Sequence, residues 1–355
     1  MTNKDTILSL IRLGIGHDIS VPIQEIYWPE VQSFAARQGL SAVILDGIER
    51  LPESKRPSKD LLLQWIGENL QSYEYRYELY CRAIADLALF YNSHGLKMMI
   101  LKGYSCSLNW PKPEHRPCGD IDIWMFRKQK EADALMSTEK GIVIDKSHHH
   151  HTTFDWHGFT VENHYDFINI HHHKSNAEFD AILKGLGNDD INKAELFGEI
   201  FILPSANLQA LFLIKHLAIH FAAESIYFRQ VLDWGFHVQA HSKEIAWPWL
   251  VDVLKRYGMM DFYNSINAIC VENLGFGSSI FPVVQYNPDL KEKVLNEIIN
   301  PEFGVELPSG FISRVSFKFH RWRGSAWKHK ICYQDSLWSA FWHGVWTHFL
   351  KPSSI

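Results

Sequence analysis

No two of the five cysteines, Cys81, Cys106, Cys118, Cys270 and Cys332, stand in a Cys-x-x-Cys spacing, and their number is odd. A disulfide framework and a thiolate zinc site are therefore not signalled, and a reducing compartment, the cytoplasm, is expected. Long apolar runs are also lacking. The best one, 208–223, is interrupted by Gln209, Lys215, His216 and His220, short of the roughly 18 residues a membrane-crossing helix needs. The N-terminal segment carries Arg12 inside its only apolar stretch and has no small-residue cleavage pattern, so no secretory signal is expected. Positive charge is not in excess: 35 Lys and Arg stand against 40 Asp and Glu, a net charge of -5. A purely electrostatic nucleic-acid binder is disfavoured on that balance. Apart from two histidine runs, there is neither an internal repeat nor a low-complexity linker.

What remains is an ordinary globular composition, 46% hydrophobic and 21% charged over 355 residues, enough for two or three domains at roughly 150 residues each. Residues 1–95 read as helical. Segments beginning at Ile7 and spanning 23–37 are amphipathic, and 59–94 carries a helical period over many turns up to His94-Gly95. From 96 the period changes. Strands are expected at 97–101, 120–126, 142–144, 152–156 and 159–167, with a helix at 131–140 and a hairpin turn at His157-Gly158. Helical spacing returns past Pro204, over 208–221, 226–238 and 247–257. The pattern predicts an α+β fold, a small mixed sheet over 96–203 between helical regions 1–95 and 204–355.

The informative stretch runs from Leu101 to Met125. On a strand, residues two apart share a face, so Asp120 and Asp122 project together while Ile121 and Ile123 enter the core. Paired carboxylates make a hard oxygen site suited to Mg²⁺, although an edge strand with an acidic solvated face gives the same alternation. Ahead of them, Gly103 precedes a helix start with Ser105 and Ser107, where backbone N–H groups favour phosphate. In 159–167, Thr160, Glu162, His164 and Asp166 share one face. Glu162 is thus placed to be a third carboxylate, preferred over Asp155 on strand parity.

A strand, Gly and helix, then an Asp-x-Asp strand, then a later acidic strand, resembles the nucleotidyltransferases related to DNA polymerase beta. More narrowly, the chain resembles a large bacterial nucleotidyltransferase family. The residues carrying the likeness are Leu101-Lys102-Gly103, Arg116 ahead of Gly119-Asp120-Ile121-Asp122-Ile123, Glu162-Asn163-His164, and Arg229 with Asp233 in an Arg-x-x-x-Asp helix. Tyr104 departs from the usual second small residue, and the connector from Gly103 to Asp120 is long and proline-rich. The resemblance implies two Mg²⁺ ions, with Mn²⁺ as an alternative, on Asp120, Asp122 and Glu162. It implies transfer of a nucleoside monophosphate from a nucleoside triphosphate to a hydroxyl of a small-molecule, sugar or protein acceptor. Gly103, Ser105 and Lys102 are then triphosphate candidates, and Arg229 and Asp233 candidates for the cleft, unless they form only a helix salt bridge. Arg116 reaches a phosphate or ties the proline-rich loop to the sheet. His164 serves as a supporting or acceptor-binding group, or simply packs. A non-catalytic nucleotide- or RNA-binding protein on the same fold is one alternative, and a histidine-based zinc protein the other.

Nine of the 20 histidines fall between 148 and 173. They read as exposed strand ends and loops in preference to a zinc site, which no fixed-spacing carboxylate partner supports. His216 and His220, one helical turn apart, are expected on helix surface or in the core rather than on a ligand. From Phe311 onward, Arg314, Lys318, Arg321, Arg323, Lys328, Lys330 and Lys351 face the single acid Asp335 among many aromatics, including Trp322, Trp327, Tyr333, Trp338, Trp342 and Trp346. The expectation is an aromatic helix closing over the core, with an RNA-contacting or peripheral membrane element as the alternative.

Overall fold

The structure, a computed structural model, describes residues 4–19, 23–171, 173–188, 192–282, 285–302, 311–339 and 342. The chain opens with helices α1 (Lys4–Gly14), α2 (Trp28–Gln38) and α3 (Ser41–Glu49), followed by α4 (Lys59–Asn69) and α5 (Arg76–Ser93). The long helical period at 59–94 is one continuous course, except that a π-helical turn, Leu70–Tyr75, separates α4 from α5.

Six strands form one mixed sheet among the described residues: β1 (Met99–Ile100), β2 (Ile121–Trp124), β3 (His151–Trp156), β4 (Phe159–His164), β5 (Lys193–Leu196) and β6 (Glu199–Ile202). Their order is β3-β4-β2-β1-β6-β5. The β3–β4 hairpin turns at His157 and Gly158, both with positive φ, as two-residue hairpins require. Helices α6 (Lys102–Ser107), α7 (Gln129–Lys140) and α8 (Lys174–Asn188) are interleaved with the strands, and Gly141 ends α7 in the left-handed conformation. The strand expected at 142–144 does not form. Val143 is exposed, and the nearest pairing is a single bridge from Asp145 to Thr153. The hairpin β5–β6 and helix α8 had no counterpart in the sequence reading.

Helices α9 (Ala206–Ala223), α10 (Phe228–His241), α11 (Trp247–Arg256), α12 (Met260–Ala268), α13 (Pro288–Ile299), α14 (Phe311–Gly324) and α15 (Ala326–Cys332) follow. The fold is therefore α+β, as expected. Two apolar cores sandwich the sheet. Ile100, Ile121, Ile123 and Val161 pack with Tyr80, Ile84 and Met136 of α5 and α7 on one side. Met99, Leu101 and Trp124 pack with Phe212 of α9 on the other. Strand parity then sends Asp122, Glu162 and His164 to the α9 side. Strand β2 is buried along its whole length, so the half-solvated strand expected from its alternation is corrected: α9 roofs its polar face.

The C-terminal aromatics divide. Trp327 meets Phe221 of α9 edge-on, 5.6 Å between centroids, while Lys328 is buried against the Glu297 carboxylate and the Glu224 carbonyl. These residues close over the core. Trp338 and Trp342 are exposed, and Phe341, Trp346, Phe349 and Lys351 lie outside the described residues. None of the described helices is long and apolar enough to cross a membrane.

Lys215 of α9 is buried with its ammonium over the rings of Tyr333 and Phe179, at 4.3 and 5.0 Å. Burial pushes its pKa down to about 7, against the smaller opposing pull of Cys332 and Asp335. A depressed lysine pKa means that the unfolded chain binds more protons between pH 7 and about 10, so this group makes stability rise with pH there. Lys215→Met removes that slope. In urea unfolding, the stability of Lys215→Met relative to wild type should fall as pH rises from 7 to 10; a constant difference would contradict the buried, desolvated ammonium.

Candidate active site

The chain leaves β1 and turns at once into the six-residue α6. Lys102 takes a φ of 29° there, a left-handed value that a non-glycine residue adopts only under constraint. Gly103 follows because nothing larger fits: a Cβ on it would stand 2.3 Å from the Tyr80 hydroxyl, which donates to the Asp120 carbonyl at 2.9 Å. The kink throws the Lys102 side chain back over the sheet, where its Nζ lies 2.7 Å from Asp122 Oδ1.

Strands β2 and β4 run parallel with Asp122 directly opposite Glu162 and Trp124 opposite His164. His164 Nε2 lies 3.1 Å from Asp122 Oδ1 and 3.3 Å from Glu162 Oε2. Its Nδ1 is 3.1 Å from the Asp166 carbonyl. Asp120, Asp122 and Glu162 all line one cavity of about 450 Å³, shared with Lys102, Gly103, His164 and Arg229. That volume is in the range of small-molecule sites. Asp155, the competitor for the third acidic position, is exposed and accepts from the Gly158 amide.

The charges are unequal by environment. Burial alone would raise the Asp122 carboxyl, but Lys102 and His164 outweigh it and hold it well below the usual range. Burial likewise opposes the charge on Glu162, and the His164 hydrogen bond and Lys102 lower it. The exposed Asp120 moves the other way, raised by partial desolvation and by the neighbouring Glu162 and Asp122 charges. Against burial, His164 is raised by Asp122 and Glu162, and Lys102 by the same carboxylates. Two carboxylates are thus kept ionised under a roof by two cationic groups, an arrangement that positive charge of another kind can replace.

Other expected site residues lie differently. Ser105 does not line the cavity: its hydroxyl donates to the Lys102 carbonyl at 2.8 Å and accepts from Gln209 Nε2 at 3.2 Å. Its side chain braces the Lys102 turn. Asp233 does not pair with Arg229. It takes Arg116 in a two-pronged contact, Nε to Oδ1 at 2.8 Å and Nη2 to Oδ2 at 2.9 Å, and accepts from the Trp110 indole at 2.8 Å. Arg116 therefore ties the proline-rich loop to helix α10, not to the sheet, and both residues of the pair line the cavity. Arg229 lines the cavity with no ion pair among the described residues, its guanidinium 5.6 Å from the Tyr227 ring centre.

His216 and His220, read from sequence as helix surface or core, face the cleft instead, their rings 4.3 Å apart. Desolvation, then the Lys102 charge, holds both below the ordinary imidazole pKa. Their one-turn spacing was visible; that α9 roofs the sheet was not. The histidine run is only partly exposed. His149, His151 and His164 are buried, whereas His148, His157 and His171 are exposed.

Residues 24–275 match a family described as uncharacterised nucleotidyltransferases. The chain belongs to that family. Most of the chain is covered, including the glycine turn, both acidic strands and the roof helix, and the protein is accordingly a nucleotidyltransferase. No curated protein and no solved structure shows a significant match.

The Arg116–Asp233 contact of this nucleotidyltransferase is a stability element with a measurable signature. Asp233→Ala strands a buried guanidinium and an indole N–H, and should cost about 3–5 kcal/mol in urea unfolding. Replacing both partners, Arg116→Met with Asp233→Leu, should recover most of that loss. A single-variant cost under about 1 kcal/mol, the level of an exposed pair, would contradict the buried geometry.

Proposed function

We propose that the chain transfers a nucleoside monophosphate from a nucleoside triphosphate to an acceptor hydroxyl, with divalent cations, Mg²⁺ foremost, held by Asp120, Asp122 and Glu162. The observation that carries this reading is the register of Asp122 against Glu162 on adjacent parallel strands, with Asp120 at the mouth of the same cavity. The residues fit such ions: one oxygen each of Asp122 and Glu162 lies with a His164 nitrogen inside a 4.8 Å cluster. When bound, divalent cations would neutralise phosphate charge and stabilise the attacking and leaving oxygens. The arrangement is the one expected of nucleotidyltransferases related to DNA polymerase beta. Convergence of the three acids favours this over a non-catalytic binder.

In the transfer, the acceptor oxygen bonds to the α-phosphorus, the bridging bond to the β-phosphate breaks, and pyrophosphate leaves. Glu162, which completes one ion's shell, is also placed to accept the hydroxyl proton. Lys102 starts on Asp122 and is free to move to a phosphate oxygen once other positive charge takes its place. Arg229, lacking a carboxylate partner among the described residues, offers a second cation for the phosphates. His216 and His220, kept neutral, offer imidazole edges to sugar or acceptor hydroxyls. The acceptor is a small molecule, a sugar or a protein side chain.

Incubation with each labelled nucleoside triphosphate and Mg²⁺ in cell extract should label an acceptor and release pyrophosphate. Asp120→Ala combined with Asp122→Ala should lower this turnover at least roughly a hundredfold, about 2.7 kcal/mol in the barrier. Undiminished activity in that variant would overturn the assignment.

A further inference from the structure

Resting on the metal-dependent reading above, we propose that the inner cation position is built for a first-row transition ion, with His164 Nε2 as a direct ligand beside Asp122 Oδ1 and Glu162 Oε2. The first argument is the tautomer. His164 Nδ1 faces the Asp166 carbonyl at 3.1 Å, and a carbonyl only accepts, so Nδ1 carries hydrogen. In the metal-free cleft Nε2–H donates to the two carboxylate oxygens at 3.1 and 3.3 Å. A cation that displaces this one proton meets an Nε2 lone pair already aimed at the position it would share with both oxygens. An N–H fixed on a backbone carbonyl with the other nitrogen turned to a cation is how ligating histidines are commonly oriented.

The second argument is size. Metal–ligand distances of about 2.0–2.2 Å place neighbouring ligand atoms of an octahedron or tetrahedron about 2.8–3.6 Å apart. The two measured separations fall in that interval, so little movement is needed to share one ion. The third concerns the neighbouring imidazoles. His151 is 6% exposed, and its Nδ1, 3.7 Å from Glu162 Oε2, has no hydrogen-bond partner. His150 also carries a buried, unpartnered Nδ1, and nitrogen atoms of His150, His151 and His164 lie within 4.8 Å of one another. Leaving a buried polar atom unpaired is costly; here one such nitrogen, His151 Nδ1, borders Glu162 Oε2, and the other belongs to the imidazole cluster around His164.

Carboxylate oxygens with imidazole nitrogen suit Mn²⁺, Fe²⁺, Co²⁺ or Zn²⁺, whereas Mg²⁺ keeps to oxygen and water. The outer side of the site, where the exposed Asp120 carboxylate stands, remains an oxygen environment for Mg²⁺ carried in with the triphosphate. The two cation positions would then differ in chemistry, and His164 would be the residue that separates them.

The test uses chelator-stripped full-length protein loaded with one equivalent of Mn²⁺ and read by pulsed electron paramagnetic resonance. Wild type should show ¹⁴N coupling to the bound Mn²⁺, retained in excess Mg²⁺. His164→Gln should lose the coupling and bind Mn²⁺ roughly tenfold or more weakly, while His151→Ala keeps it. Bound Mn²⁺ without ¹⁴N coupling in wild type would overturn the proposal and leave the nucleotidyl-transfer reading intact. Failure to bind either Mn²⁺ or Mg²⁺ with nucleotide present would overturn that reading as well. Coupling that survives His164→Gln would remove His164 as the ligand. The wild-type spectrum decides the presence of nitrogen even where a variant folds poorly.

Discussion

The cleft depends on one electrostatic constraint: a buried carboxylate, Asp122, has to be neutralised where water cannot do it. Lys102 at 2.7 Å and His164 at 3.1 Å meet the same oxygen, and the chain around them is shaped to let that happen. Lys102 reaches it from a left-handed backbone position, followed by a glycine that the Tyr80 hydroxyl leaves no room to replace. His164 reaches it because β4 runs parallel to β2 in a register that sets Glu162 opposite Asp122. Charge held under a protein roof interacts far more strongly than charge in water. Under the proposed metal-dependent transfer, the same seclusion that makes the pair expensive to form would make it responsive to phosphate and metal.

A second buried contact holds the cleft walls together. The proline-rich connector between α6 and β2 contributes no strand, and Lys112 and His115 fix its middle to Asp46 of α3. Arg116, gripped by both oxygens of Asp233 and backed by the Trp110 indole, pins that loop to α10. Sequence separation hides this, because Arg229 is one helical turn from Asp233 and is the nearer partner on paper. The fold gives Asp233 to Arg116 and leaves Arg229 turned toward the cavity without a carboxylate partner among the described residues. An apparent helix salt bridge thus becomes one stabilising pair and one cation facing the ligand space.

Strand parity made Asp122 and Glu162 legible, because a period of two sends alternate residues to opposite faces whatever else the chain does. The hairpin at His157-Gly158 and the glycine end of α7 were legible from local turn chemistry. Burial was less so. The alternation in β2 predicted a wet face, and α9, more than eighty residues later, covers it. The same long-range packing turns His216 and His220 toward the site and draws His151 inside. Ser105 shows the reverse limit: its position after the glycine suited a phosphate ligand, yet its hydroxyl is used within its own turn and by Gln209. The hairpin β5–β6 and helix α8 are not legible in the same way: two four-residue strands are too short for a period of two to show, and α8 begins directly after the histidine run.

The central claim is that Lys102 neutralises Asp122 only until metal and nucleotide arrive. Crystals grown with Mn²⁺ and a non-hydrolysable nucleoside triphosphate, with anomalous diffraction collected at the manganese edge, test it directly. The account predicts an anomalous peak touching Asp122 and Glu162, with the Lys102 ammonium moved from Asp122 onto a phosphate oxygen. A bound nucleotide with Lys102 still on Asp122 and no peak beside the acids would contradict it.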